Sequence, residues 1–86
     1  MPEVSRFYGI VIRMYFADHP PAHFHAEYGE YEALVTIAET RIIAGDLPHR
    51  AFNLVQEWAA LHQQELQALW ERASQLQPLS RIKPLD

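Results

Sequence analysis

The chain has 86 residues, 49% of them hydrophobic and 21% charged, and only three are glycine. That length holds one domain, and the composition excludes a disordered tail or a collagen-like chain. There is no cysteine, which excludes disulfides, zinc knuckles, iron–sulfur clusters and thiol catalysis. The net charge of −4 is unevenly spread. Residues 1–47 carry three arginines against seven acids, a balance of −4, and residues 48–86 are neutral. An acidic half is a poor phosphate-binding surface, so nucleic acid is disfavoured as a partner. No apolar run approaches the ~20 residues that span a bilayer. Met1–Arg6 lacks the basic start and apolar run of a signal peptide. A cytoplasmic location with no membrane partner is the expectation.

The residues up to 44 read as strands. Phe7–Phe16 is rich in β-branched and aromatic residues. Ile10, Ile12, Met14 and Phe16 alternate onto one face, and Val11, Arg13 and Tyr15 onto the other. Asp18-His19-Pro20-Pro21 reads as a tight loop, because two prolines remove two ladder donors. Ala22–Tyr28 alternates again. Gly29-Glu30 suits a two-residue hairpin turn. Tyr31–Ala38 follows, with Tyr31, Ala33, Val35 and Ile37 as its inward face. Arg41–Ala44 is a short fourth strand. Connections this short favour an antiparallel meander.

Helix signals begin at Gly45, with Asp46 as N-cap and Pro48 in the first turn. At 100° per residue, Ala51, Phe52, Val55, Trp58, Ala59, Leu66, Leu69, Trp70, Ala73 and Leu76 form one apolar stripe. A helix holding that phase is longer than a small domain is wide, so it either kinks near Leu61–Gln64 or overhangs into a partner. Pro78 ends it. The fold expected is α+β: an antiparallel three- to four-stranded meander (1–44), one long C-terminal helix packed on it (46–77), and an extended tail (78–86).

Chemistry concentrates in the histidines. His19, His23 and His25 lie within seven residues. On a strand, His23, His25 and Glu27 share one face, ~6.6 Å apart in steps of two. His19 can fold back from the proline loop, which makes His19, His23 and His25 a candidate ligand set for a divalent transition metal such as zinc. His62 falls near the centre of the helical stripe and needs a polar partner, for which Glu65 is placed at i+3. If the helix covers the face bearing His23 and His25, then His23, His25, His62 and Glu65 meet as a catalytic or metal-binding group. If it covers the more apolar Phe24, Ala26 and Tyr28, the strand histidines point outward and His62 stands apart. Trp58 and Trp70 read as core anchors. No phosphate-binding glycine loop and no serine next to a histidine is present.

Ser5-Arg6-Phe7, Gly9-Ile10, Met14-Tyr15, Asp18-His19, Pro21, His23-Phe24-His25-Ala26, Tyr28, Leu47-Pro48, Glu57-Trp58, His62, Glu65-Leu66, Trp70, Ile82 and Pro84-Leu85 together resemble the small bacterial family called domain of unknown function 4160. The segment Asp18–Ala26 is the most specific part. The resemblance implies a stand-alone protein of a two-gene, toxin–antitoxin-like module, with recurring histidines at His19, His23, His25 and His62 and no established activity. Size, strand edges and the long helix point to an interaction protein with a protein partner or a homo-oligomer. A small histidine-cluster or metal-dependent enzyme, such as a ribonuclease toxin, is the alternative. A histidine pair can exchange protons with a ribose hydroxyl without metal.

Overall fold

A computed structural model describes residues 3–86. The fold is α+β. Its single sheet has five strands in the order β1-β2-β3-β4-β5, all neighbours antiparallel. They are β1 (Glu3–Phe7), β2 (Ile10–Arg13), β3 (His23–Tyr28), β4 (Tyr31–Thr36) and β5 (Ile42–Gly45). Two helices follow, α1 (His49–Leu61) and α2 (Gln63–Ser74).

The sheet has five strands rather than three or four because the segment expected as one strand from Phe7 to Phe16 folds on itself. Phe7 pairs with Ile10. Tyr8 and Gly9 between them both take positive φ, 50° and 80°. A two-residue turn of that kind matches the twist of the strands it joins. Gly29-Glu30 makes the corresponding link between Tyr28 and Tyr31, with Gly29 at φ 58°. Gly45 ends β5 at φ 74°, and a Cβ there would lie 2.0 Å from the Glu32 carbonyl oxygen. No other residue fits that position without displacing backbone.

One face of the sheet is closed. Ile10, Ile12, Met14, Phe24, Ala26, Ala33 and Val35 are all fully buried. Trp58 of α1 seats on them, tilted against Phe7 at 5.3 Å and edge-on to Phe24 at 5.8 Å. The alternation expected for these strands holds, except at its ends, where Phe16 and Tyr31 are exposed. The helices supply Ala51, Val55, Ala59, Leu66, Leu69 and Ala73 to the same core.

The expected single helix over 46–77 is two. His62, at φ −124° and ψ 25°, interrupts it, and Gln63 clamps the break by donating from Nε2 to the carbonyls of Ile37 and Ala38 at 2.8 and 2.9 Å. The break costs one residue, so the apolar phase carries on into α2. Asp46 is not the N-cap. Its carboxylate accepts from the Leu47 amide, and Pro48 occupies the cap position. α2 stops before Pro78: Leu76 takes φ 59°, while Leu76 and Gln77 donate back to the carbonyls of Ala73 and Arg72. Those are the paired bonds of a Schellman ending.

The tail runs extended along β1. The Ile82 amide donates to the Val4 carbonyl at 2.7 Å, and Ile82 is buried. Trp58 donates from its indole nitrogen to the Lys83 carbonyl at 2.9 Å. Arg81 pairs with Glu3 at 2.9 Å.

Candidate functional site

Because α1 covers the Phe24–Ala26 side, the alternating residues of β3 point to the opposite face. His25 and Glu27 lie there beside Arg13 and Val11 of β2 and Glu32 and Leu34 of β4, by the strand register. The loop between β2 and β3, residues 14–22, is held to α2 by the Ala17 amide, which donates to the Ala73 carbonyl at 3.2 Å. This loop brings Asp18 over the first residues of β3. Asp18 Oδ2 lies 3.1 Å from His23 Nε2 and 3.1 Å from His25 Nε2. Among the described residues, Asp18, His23 and His25 form a group whose ligand atoms all fall within 4.8 Å of one another.

Each imidazole is oriented through its other nitrogen. His23 Nδ1 is 2.7 Å from the Pro21 carbonyl oxygen. A carbonyl only accepts, so Nδ1 carries the proton. His25 Nδ1 lies 3.2 Å from Glu32 Oε2, and an ionised carboxylate likewise demands the proton there. With both Nδ1 positions donating, a neutral ring has only a lone pair at Nε2. Both lone pairs then face the oxygen of Asp18, itself an acceptor. Three acceptors converging on one point require a positive species between them, either extra protons on the rings or a metal ion.

Asp18 itself stays ionised. Burial pushes its pKa up, but the bond with His25, the His19 amide at 2.9 Å and the charges of both histidines outweigh that and hold it below the usual carboxylate range. Aromatic rings fix the imidazoles laterally. Tyr15 stands edge-on to His25 at 4.4 Å, and Trp70 lies 5.2 Å from His23. Burial, with help from Glu27 and Glu32, raises the Tyr15 pKa, so its hydroxyl remains a neutral donor. His23 is almost inaccessible at 4%, while His25 and Asp18 are open at 14% and 23%. The group is therefore reached from the Asp18–His25 side.

Of His19, His23 and His25, the structure brings together the last two, with Asp18 beside them. His19 is exposed and donates its backbone amide to the Asp18 carboxylate. The convergence of His62 and Glu65 with His23 and His25 is not formed. His62 Nδ1 pairs with Glu65 Oε1 at 2.6 Å and its ring lies 5.6 Å from Trp58, on the helix side of the sheet. Glu27 also stays outside the cluster and pairs with Arg13 at 3.1 Å. Sequence reasoning missed Asp18 and Glu32 as parts of the site. Asp18 reads as a turn former, and only its position five residues before His23 marks it. Glu32 is legible once β3 and β4 are joined by a two-residue turn, which sets it opposite Glu27 and diagonal to His25.

Fold and site define a small α+β protein with a histidine–aspartate group on the open face of its sheet. The chain belongs to the family described as Domain of unknown function (DUF4160), whose profile matches residues 9–71 and so takes in Asp18, His23, His25 and His62. No curated protein and no solved structure matches it.

Proposed function

We propose that the chain is a metal-dependent protein in which Asp18, His23 and His25 hold one divalent transition metal ion. The observation that carries this is the pair of Nδ1 donors, to Pro21 and Glu32, which turns both Nε2 lone pairs toward the Asp18 carboxylate. Hydrogen-bonded outer nitrogens are what orient metal-binding histidines elsewhere. The spacing agrees. Ligands ~2.1 Å from one ion in tetrahedral or octahedral geometry stand roughly 3.0–3.4 Å apart, and the two Asp18 contacts are 3.1 Å. Two imidazoles and one carboxylate suit zinc, iron or related ions and leave coordination positions open for water or substrate. When bound, the ion supplies Lewis acidity and an activated water. Asp18, His23 and His25 bind, Glu32 and Pro21 orient, and Tyr15 offers a neutral hydroxyl beside His25. A hydrolytic enzyme, with a ribonuclease as one instance, is the activity class this arrangement favours.

The test is a titration of purified protein with Co(II) and Zn(II). A visible Co(II) band and a rise in thermal stability are expected; at 100 Kd of free metal the gain is about 2.7 kcal/mol. Asp18→Ala, His23→Ala and His25→Ala each abolish both, whereas His19→Ala and His62→Ala leave them intact. Equal metal response in all five variants sinks the assignment.

A second reading, an interaction protein of a two-gene module, is favoured by the asymmetry of the sheet edges. The tail occupies the β1 edge, while β5 pairs only with β4 among the described residues.

A further inference from the structure

The two sheet edges differ in more than occupancy. Along β1, the tail satisfies Val4 and places Arg81 against Glu3. The only lysine of the chain, Lys83, is on that side. Among the described residues β5 has no such cover: Ile43, Ala44 and Gly45 are exposed. The β4–β5 register skips Ile43 between the pairs Val35–Ile42 and Leu34–Ala44, and its side chain is 44% exposed. An uncovered strand edge with an apolar side chain is a template for another strand, and proteins usually guard such edges with lysine or proline. β5 has neither.

Charge selects the occupant. Residues 28–47, which flank and include β5, hold Glu30, Glu32, Glu39 and Asp46 against Arg41 alone, a balance of −3. Arg41 is itself paired with Glu39 at 3.5 Å. A second copy pairing edge to edge would set two such acidic stretches together, which like-charge repulsion disfavours. A lysine- or arginine-bearing strand meets the opposite field.

We infer that β5 is a docking edge for an extended basic segment of a partner protein, which adds as a sixth strand with an apolar side chain against Ile43. This rests on the interaction reading above and narrows it to one edge and one partner chemistry.

The experiment is amide exchange on the full chain with two synthetic probes of about ten residues, one alternating lysine with valine and one alternating glutamate with valine. The lysine peptide slows exchange at Ile42–Gly45 by at least roughly tenfold, and the glutamate peptide does not. Ile43→Lys, at an exposed site, removes the protection; Ile43→Glu, which loses the apolar contact but keeps the charge match, lowers it less. Circular dichroism checks that both variants are folded. Equal protection by both peptides, or protection confined to other strands, overturns the edge assignment while leaving an interaction protein standing. Protection of β5 by protein concentration alone makes a second copy the occupant and overturns it too. No protection by either peptide overturns the edge assignment too, and the interaction reading then stands or falls by co-purification of a partner with the full chain.

Discussion

The two faces of the sheet are built by opposite rules. Under α1 the inward residues Ile10, Ile12, Phe24, Ala26, Ala33 and Val35 are apolar and buried, and Trp58 fits on them. On the open face the same strands place Arg13, His25, Glu27 and Glu32, tied into pairs at 3.1 and 3.2 Å. Strand alternation separates the two by one residue. The closed face holds the fold by removing area from water. The open face holds a set of ionisable groups in fixed orientation, for which a packed core is only the support.

That contrast can be broken or sharpened by substitution. Trp58→Ala has the largest expected effect, about 3–5 kcal/mol, since it empties the contact between α1 and the sheet and frees the Lys83 carbonyl. Urea denaturation measures it, and a loss of this size against ~5–10 kcal/mol of total stability leaves little folded protein. His23→Ala comes next, at about 1–3 kcal/mol, because it removes a buried donor from the Pro21 carbonyl. The same variant gives no Co(II) band, which separates its two roles. Glu27→Ala is smaller, below about 1 kcal/mol, since the Arg13 pair is partly exposed. Were Trp58→Ala and Glu27→Ala to shift the midpoint equally, the division between the faces would fail.

The smallest effect is expected at the tail. The bond from Arg6, then that from Arg81, lowers the Glu3 pKa from 4.5 to about 2. A carboxylate depressed in the folded state adds stability above its unfolded pKa and loses it as pH falls through the folded value. Tail docking is therefore intact above pH 4.5 and weakens toward pH 2. The protection factor for amide exchange at Ile82, the rate relative to the free amide at the same pH, follows it; a protection factor constant over that window removes Glu3 from the clamp.

Periodic segments announced themselves in the sequence and aperiodic ones did not. The inward sets Ile10–Ile12–Met14 and Ala33–Val35–Ile37 follow from alternation, and the helical stripe follows from its phase. The Tyr8-Gly9 turn was hidden because tyrosine is not a residue that advertises positive φ, and the flanking residues are all good strand formers. The interruption at His62 falls inside the Leu61–Gln64 stretch where helix length alone called for a kink, but the residue itself was not marked, since it carries neither glycine nor proline and phase is preserved on both sides. Within the site, His23 and His25 were legible as a strand pair. The choice of Asp18 over His19 was not, since neighbouring loop residues have no period to sort them, and only the folded path of residues 14–22 decides which side chain returns to β3.

The placement of the two tryptophans has an optical consequence. Trp58 is sealed in the core, whereas Trp70 lies partly buried at 5.2 Å from His23. Excitation of the indoles thus samples two environments, one reporting on the integrity of the interior and the other standing at the threshold of the Asp18 group. A paramagnetic ion held by His23 darkens Trp70 first and leaves the blue-shifted emission of Trp58 comparatively bright. One indole thus reports on folding and the other stands beside the Asp18 group, where it would report on an ion if the proposed site binds one, with no label attached.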